Sequence, residues 1–189
     1  MLSDPPSQGI TGQDVTGQAD ALLAALLELE RHVAKDGWDQ PPRLFALVLT
    51  DVIAAAEPVI AAELGLRGTA AGGPPDALTA VEQEEFAGSG DLVADLTQLE
   101  WPDTVFGCAL TAVRTFLPSA LENELPDDPG AAAAYVAAHP QRQEMRIVVG
   151  ADRAGNRHGL ARLVDQPTEL LGSRDLVPGL SEALAHTLA

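Results

Sequence analysis

Apolar positions between Thr16 and Gly37 recur at steps of three and four. Ala21, Leu22, Ala25, Leu26, Leu29 and Val33 form one stripe, and Leu23 and Leu27 widen it. This period predicts an amphipathic helix that begins at Asp14 or Thr16, closes at Gly37 and is covered on more than one side. Trp38-Asp39-Gln40-Pro41-Pro42 follows, and its two prolines push the chain extended. Arg43 to Leu49 is apolar on both faces, the pattern of a buried strand. A helix over roughly residues 51–64 comes next, kinked or split by Pro58 and closed by Gly65. The glycines and prolines of residues 65–76 predict a mobile surface loop. Residues 79–86 (TAVEQEEF) read as a short acidic helix, and Asp91 as the cap of another that ends near Leu99.

Asp103 to Leu117 is the longest strand candidate. Its two alternating sets are both mostly apolar, so it should be central and covered on both sides. Asp128-Pro129 opens an alanine helix that ends at His139-Pro140. From Gln143 to Val149, and again from Arg157 to Val164, polar and apolar residues alternate around a Gly-Ala-Asp-Arg-Ala-Gly-Asn turn, which predicts an antiparallel hairpin. Asp175 starts a last helix with Pro178 in its first turn. This order places the chain in the α+β class, as a mostly antiparallel four- to five-stranded sheet covered by helices. Residues 1–13 read as a disordered tail and residues 14–189 as one domain.

Composition narrows the functional classes. The chain has 28 acidic and 11 basic residues, a net charge of −17, which argues against nucleic acid and anionic membranes as partners. The excess is uneven: residues 1–138 hold 22 acids and 5 bases, whereas residues 139–189 hold 6 of each. One cysteine, Cys108, excludes an internal disulfide and a cysteine-based zinc site. The first residues lack the charge and apolar run of a signal peptide, and no stretch is long and apolar enough to span a membrane, so the expectation is a cytoplasmic protein. Phosphate-loop, dinucleotide-fold, zinc-protease, nucleophile-elbow, EF-hand and CxxC motifs are all absent, and no cofactor is expected.

Several stretches taken together resemble an uncharacterised actinobacterial family: Gly37 to Leu47 (GWDQPPRLFAL), Trp101-Pro102 leading into Gly107-Cys108-Ala109-Leu110, His139-Pro140, and residues 175–180 (DLVPGL). The resemblance spans roughly residues 20–188 and implies a bacterial cytoplasmic protein, with no activity or catalytic residue attached. The layout is also loosely similar to small secretion-chaperone-like domains.

Each site candidate has a functional and a structural reading. Arg142, Arg146, Arg157 and Arg162 fall on the hairpin. They could hold a phosphate, a carboxylate or a partner's acidic strip, or be neutralised within the chain. Trp38 and Trp101 could rim a groove or plug the core. Cys108 is a nucleophile or a small buried hydrophobe. His139 is a general base or a cation at a helix end. Glu28, His32 and Asp36 share one helix face and could ligate a metal or stay solvated. The leading expectation is a non-enzymatic protein-interaction module, chaperone-like or regulatory. The alternative is a small-anion-binding regulatory domain built on the arginine hairpin, and the third reading is a hydrolase or transferase with His139 as base. The hairpin's outer face, with Val148, Leu160 and Val164 beside Arg146 and Arg162, further suggests a homodimer.

Overall fold

The computed structural model describes residues 12–189 except residue 175, with side chains from residue 17 onward apart from that of Glu122. Most of the tail expected over residues 1–13, and the helix start expected at Asp175, lie outside the described residues. Among the described residues, six α-helices and six strands follow in the order α1 (Gly12–Ala34), β1 (Arg43–Leu49), α2 (Thr50–Ala56), α3 (Pro58–Glu63), β2 (Leu78–Glu82), α4 (Leu92–Leu96), β3 (Gly107–Phe116), α5 (Pro129–Ala138), β4 (Gln143–Asp152), β5 (Arg157–Leu163), β6 (Gln166–Ser173) and α6 (Pro178–His186). The strands form one antiparallel sheet in the order β2-β1-β3-β4-β5-β6. The α+β class therefore holds, with six strands rather than four or five.

One expected element is corrected, and one unassigned stretch forms a strand. Residues 79–86, read as an acidic helix, contain the edge strand β2 instead. Leu78 and Ala80 pack inward while Thr79 and Val81 take the other face, and Gln83 N–H still donates to Leu44 C=O. Residues 166–173, assigned to no element, form β6 behind a two-residue turn. Pro58 does split its helix, starting α3 as the first helical residue, and Gly65 closes that turn with a φ of 68°. Asp91 and Asp128 cap α4 and α5 by accepting from the N–H of Ala94 (3.1 Å) and Ala131 (2.8 Å).

The sheet is covered on both faces. On one, α1 lays Leu22, Leu26, Leu29 and Val33 over Phe45, Leu47, Ala109, Val148 and Leu160. On the other, Leu92 and Leu96 of α4 and Leu180, Leu184 and Leu188 at the C-terminal end pack on Leu44, Cys108, Leu110, Ile147 and Val149. Gly150 lets α1 approach β4, because a Cβ there would stand 2.7 Å from Leu26. Val148 and Leu160 are thus buried under α1, so the hairpin face on which a dimer was expected is not open. Along the central strands Phe45, Leu47, Cys108, Leu110 and Ile147 are buried, while Met145 and Leu163 are half-buried.

Candidate functional site

The sheet has two outer strands, and the chain treats them differently. β6 carries Pro167 and a register shift opposite Arg162, both of which spoil pairing with a further strand. β2 has neither proline nor lysine, and its five pairs with β1 run without interruption. Ala77 C=O and Gln83 N–H bond toward β1. By antiparallel alternation, Leu78, Ala80 and Glu82 then turn their N–H and C=O groups outward. No strand among the described residues pairs with that outer side.

Beside this edge lies a groove of about 840 Å³. One wall is α1, presenting Gly17, Asp20, Ala21, Ala24, Glu28 and His32; the other is β2. Ala25, Leu29, Phe45, Leu78 and Ala80 supply its apolar lining. Gly65, Leu66, Arg67, Pro74 and Pro75 close the end where β2 begins. That closing loop is tied down rather than free. The Asp51 carboxylate accepts from Thr69 N–H (2.7 Å) and Thr69 Oγ1 (2.9 Å), and Gly73 N–H donates to Gly68 C=O (2.9 Å). At the other end, Arg43 holds Glu82 through two contacts of 2.6 Å and reaches Asp36 at 3.0 Å. The hydrogen bonds from Arg43 hold the Glu82 carboxyl below its usual range, while Asp20 and Glu28 line the groove with exposed side chains.

The arginines on the hairpin are placed as follows. Arg146 and Arg162 stand directly opposite each other, and both meet Glu30 of α1. Glu30 Oε1 accepts from Arg146 Nη2 (3.0 Å) and Arg162 Nε (2.8 Å), and Oε2 from Arg162 Nη2 (3.1 Å). Burial alone would raise the Glu30 pKa, but the hydrogen bonds and charges of Arg162 and Arg146 outweigh it and hold it below the ordinary value. Arg146 also donates to Gly37 C=O and lies 4.4 Å over the Trp38 ring. Arg142 is exposed in the turn before β4, and Arg157 sits at the far end of the hairpin, so the four do not converge.

Trp38 therefore covers an ion pair, whereas Trp101 donates from Nε1 to Thr187 Oγ1 (3.0 Å) beside α6. Neither lines the groove. Cys108 is fully buried, its thiol against Leu184 C=O and Thr187 Oγ1 at 3.5 Å each, and burial pushes its pKa up to about 11. His139 follows α5; its Nδ1 accepts from Gln141 N–H (3.1 Å) and its ring lies 5.4 Å from that of Tyr135. Among the described residues no carboxylate forms an ion pair with it. Glu28 and His32 face the groove while Asp36 pairs with Arg43, and no cluster among the described residues could hold a metal ion. Sequence reasoning missed the groove because its edge strand was read as helix. The alternation of Leu78 and Ala80 with Thr79 and Val81 was the available signal.

A family model described as PPA1309-like protein matches residues 22–189. The chain belongs to the PPA1309-like family. The match takes in β2, the closing loop and the α1 wall from Leu22 onward, and starts just after Asp20. The PPA1309-like description names no activity, ligand or partner. No curated protein and no solved structure matches the chain. No helix among its described residues is long and apolar enough to cross a membrane.

Proposed function

We propose that this chain is a protein-interaction module that docks an extended segment of a partner in the groove between α1 and β2. The observation that carries the reading is the unprotected outer edge of β2 running along an apolar groove. Outward backbone groups there can bond a further strand, and alternate side chains of that strand would enter the groove. A partner strand gains main-chain hydrogen bonds from β2 and apolar contact with Ala21, Ala24 and Ala80 on the groove's walls, with no chemical step involved. The test is Ala80→Pro, which removes one outward N–H and spares the bonds to β1. Partner capture should fall with the melting temperature little changed; capture equal to that of the unaltered chain would overturn the reading. The setting we infer is an actinobacterial cytoplasm, in keeping with the motifs and the acidic composition.

Self-association is a second reading, favoured by a different feature. Val52 on α2, Val59 and Ile60 on α3 and Leu64 just after it are 43%, 69%, 47% and 67% exposed, and a second copy of this chain could cover them. Repulsion between copies carrying −17 each should make such a dimer stronger as salt is added. Sedimentation at micromolar concentration decides it. A mass of 19.7 kDa at both low and moderate salt would remove the dimer.

A further inference from the structure

The walls of the groove specify the chemistry of its occupant. Asp20, Ala24 and Glu28 follow one another at four-residue steps along the α1 wall. Asp20 and Glu28 are therefore about 12 Å apart along the helix axis. In an extended strand, side chains four residues apart on one face are separated by about 13 Å. Glu82 of the β2 wall is taken by Arg43, which leaves Asp20 and Glu28 as the groove's acids without an ion-pair partner among the described residues. Between them Ala24 and Ala25 leave room for a side chain above the apolar floor. His32 and Glu82 lie together at one end, and Pro74 and Pro75 stand where β2 starts, so α1 and β2 run the same way and the wall keeps pace with the edge.

We infer that the occupant is a cationic extended segment with lysine or arginine at positions i and i+4 and an apolar residue at i+2. This rests on the docking reading above and adds its specificity. The two basic side chains meet Asp20 and Glu28, the middle one enters over Ala24 and Ala25, and the intervening residues point to the other face of the sheet. Leu78, Ala80 and Glu82 offer outward backbone groups over about five residues of strand, which matches the span of the pattern. The chain's net charge of −17 steers such a segment toward it and repels an acidic one.

Three capped peptides test this by fluorescence anisotropy: Thr-Lys-Thr-Val-Thr-Lys-Thr and its versions with both lysines replaced by glutamine or by glutamate. The lysine peptide should bind about tenfold more tightly than the glutamine peptide, the yield of two exposed charge pairs. The glutamate peptide should bind more weakly still. The double variant Asp20→Lys, Glu28→Lys changes two exposed side chains and should reverse the order. Equal binding of the lysine and glutamine peptides would overturn the charge specificity while leaving strand docking in place. If none of the three shifts the amide resonances of Leu78, Ala80 and Glu82, both readings fail.

Discussion

Glu30 holds two arginines on one carboxylate, and its side chain is only 4% exposed. Deleting it leaves Arg146 buried without an anion, and breaking a buried pair in this way costs about 3–5 kcal/mol. We expect Glu30→Ala to lower stability by that amount in denaturant titration. A loss under about 1 kcal/mol would show that the cluster contributes packing alone. Because the Glu30 pKa is lowered on folding, its stabilisation is complete above the ordinary value of 4.5 and disappears as pH falls through the lower folded value. The melting temperature of Glu30→Gln should therefore depend less on pH below 4.5 than that of the unaltered chain. Cys108 gives a second prediction at this scale. With its pKa near 11 and its thiol buried, it should resist alkylation at pH 8 until the chain is unfolded. Rapid labelling of the native protein would mean that α6 opens. That Arg146 and Arg162 share a face was legible from their spacing on the hairpin. Their partner was not, since Glu30 lies 116 and 132 residues away and only the docking of α1 brings it there.

At the scale of elements, strands with strong alternation or continuous apolar runs were legible, and weakly patterned ones were not. β1, β3, β4 and β5 carry their burial in their sequence, and their edges agree with the expected ranges to within a few residues. β2 is short and followed by Gln83, Glu84 and Glu85, whose charge suggested a solvated helix. β6 (QPTELLGS) contains proline and glycine and is almost wholly exposed, so neither alternation nor a run of β-branched residues marked it. It exists because β5 offers an edge, a tertiary cause that composition does not display. The candidate groove was illegible for the same reason, since it needs β2 placed beside α1. The central strands give the prediction proper to this scale. Leu110 of β3 and Ile147 of β4 are buried in the layer beneath α6, so Leu110→Ala and Ile147→Ala should each cost about 2–5 kcal/mol. Urea unfolding measures both, and losses below about 1 kcal/mol would contradict the burial.

At the scale of the whole molecule, the charge of −17 meets few compensating contacts, with four short ion-pair contacts among the described residues. Self-repulsion of the compact state should then outweigh the pairs that salt weakens. We expect the melting temperature at neutral pH to rise between low and physiological salt; a fall would show that the ion pairs dominate. The sequence showed the acid excess and its confinement to residues 1–138, but not that α1 crosses the sheet to cover the hairpin. Chain order against strand order carries one more consequence. β1 pairs directly with β3, so residues 50–106 leave the sheet and return, laying β2 on the outside. β3 and β4 share ten consecutive pairs and each is flanked on its other side. Backbone amides at that centre should exchange with deuterium only on global unfolding, while those of β2 exchange through smaller, cheaper openings. The edge that would receive a partner thus belongs to the least cooperative part of the sheet, and a docked strand would be recorded as a slowing of exchange confined to that margin.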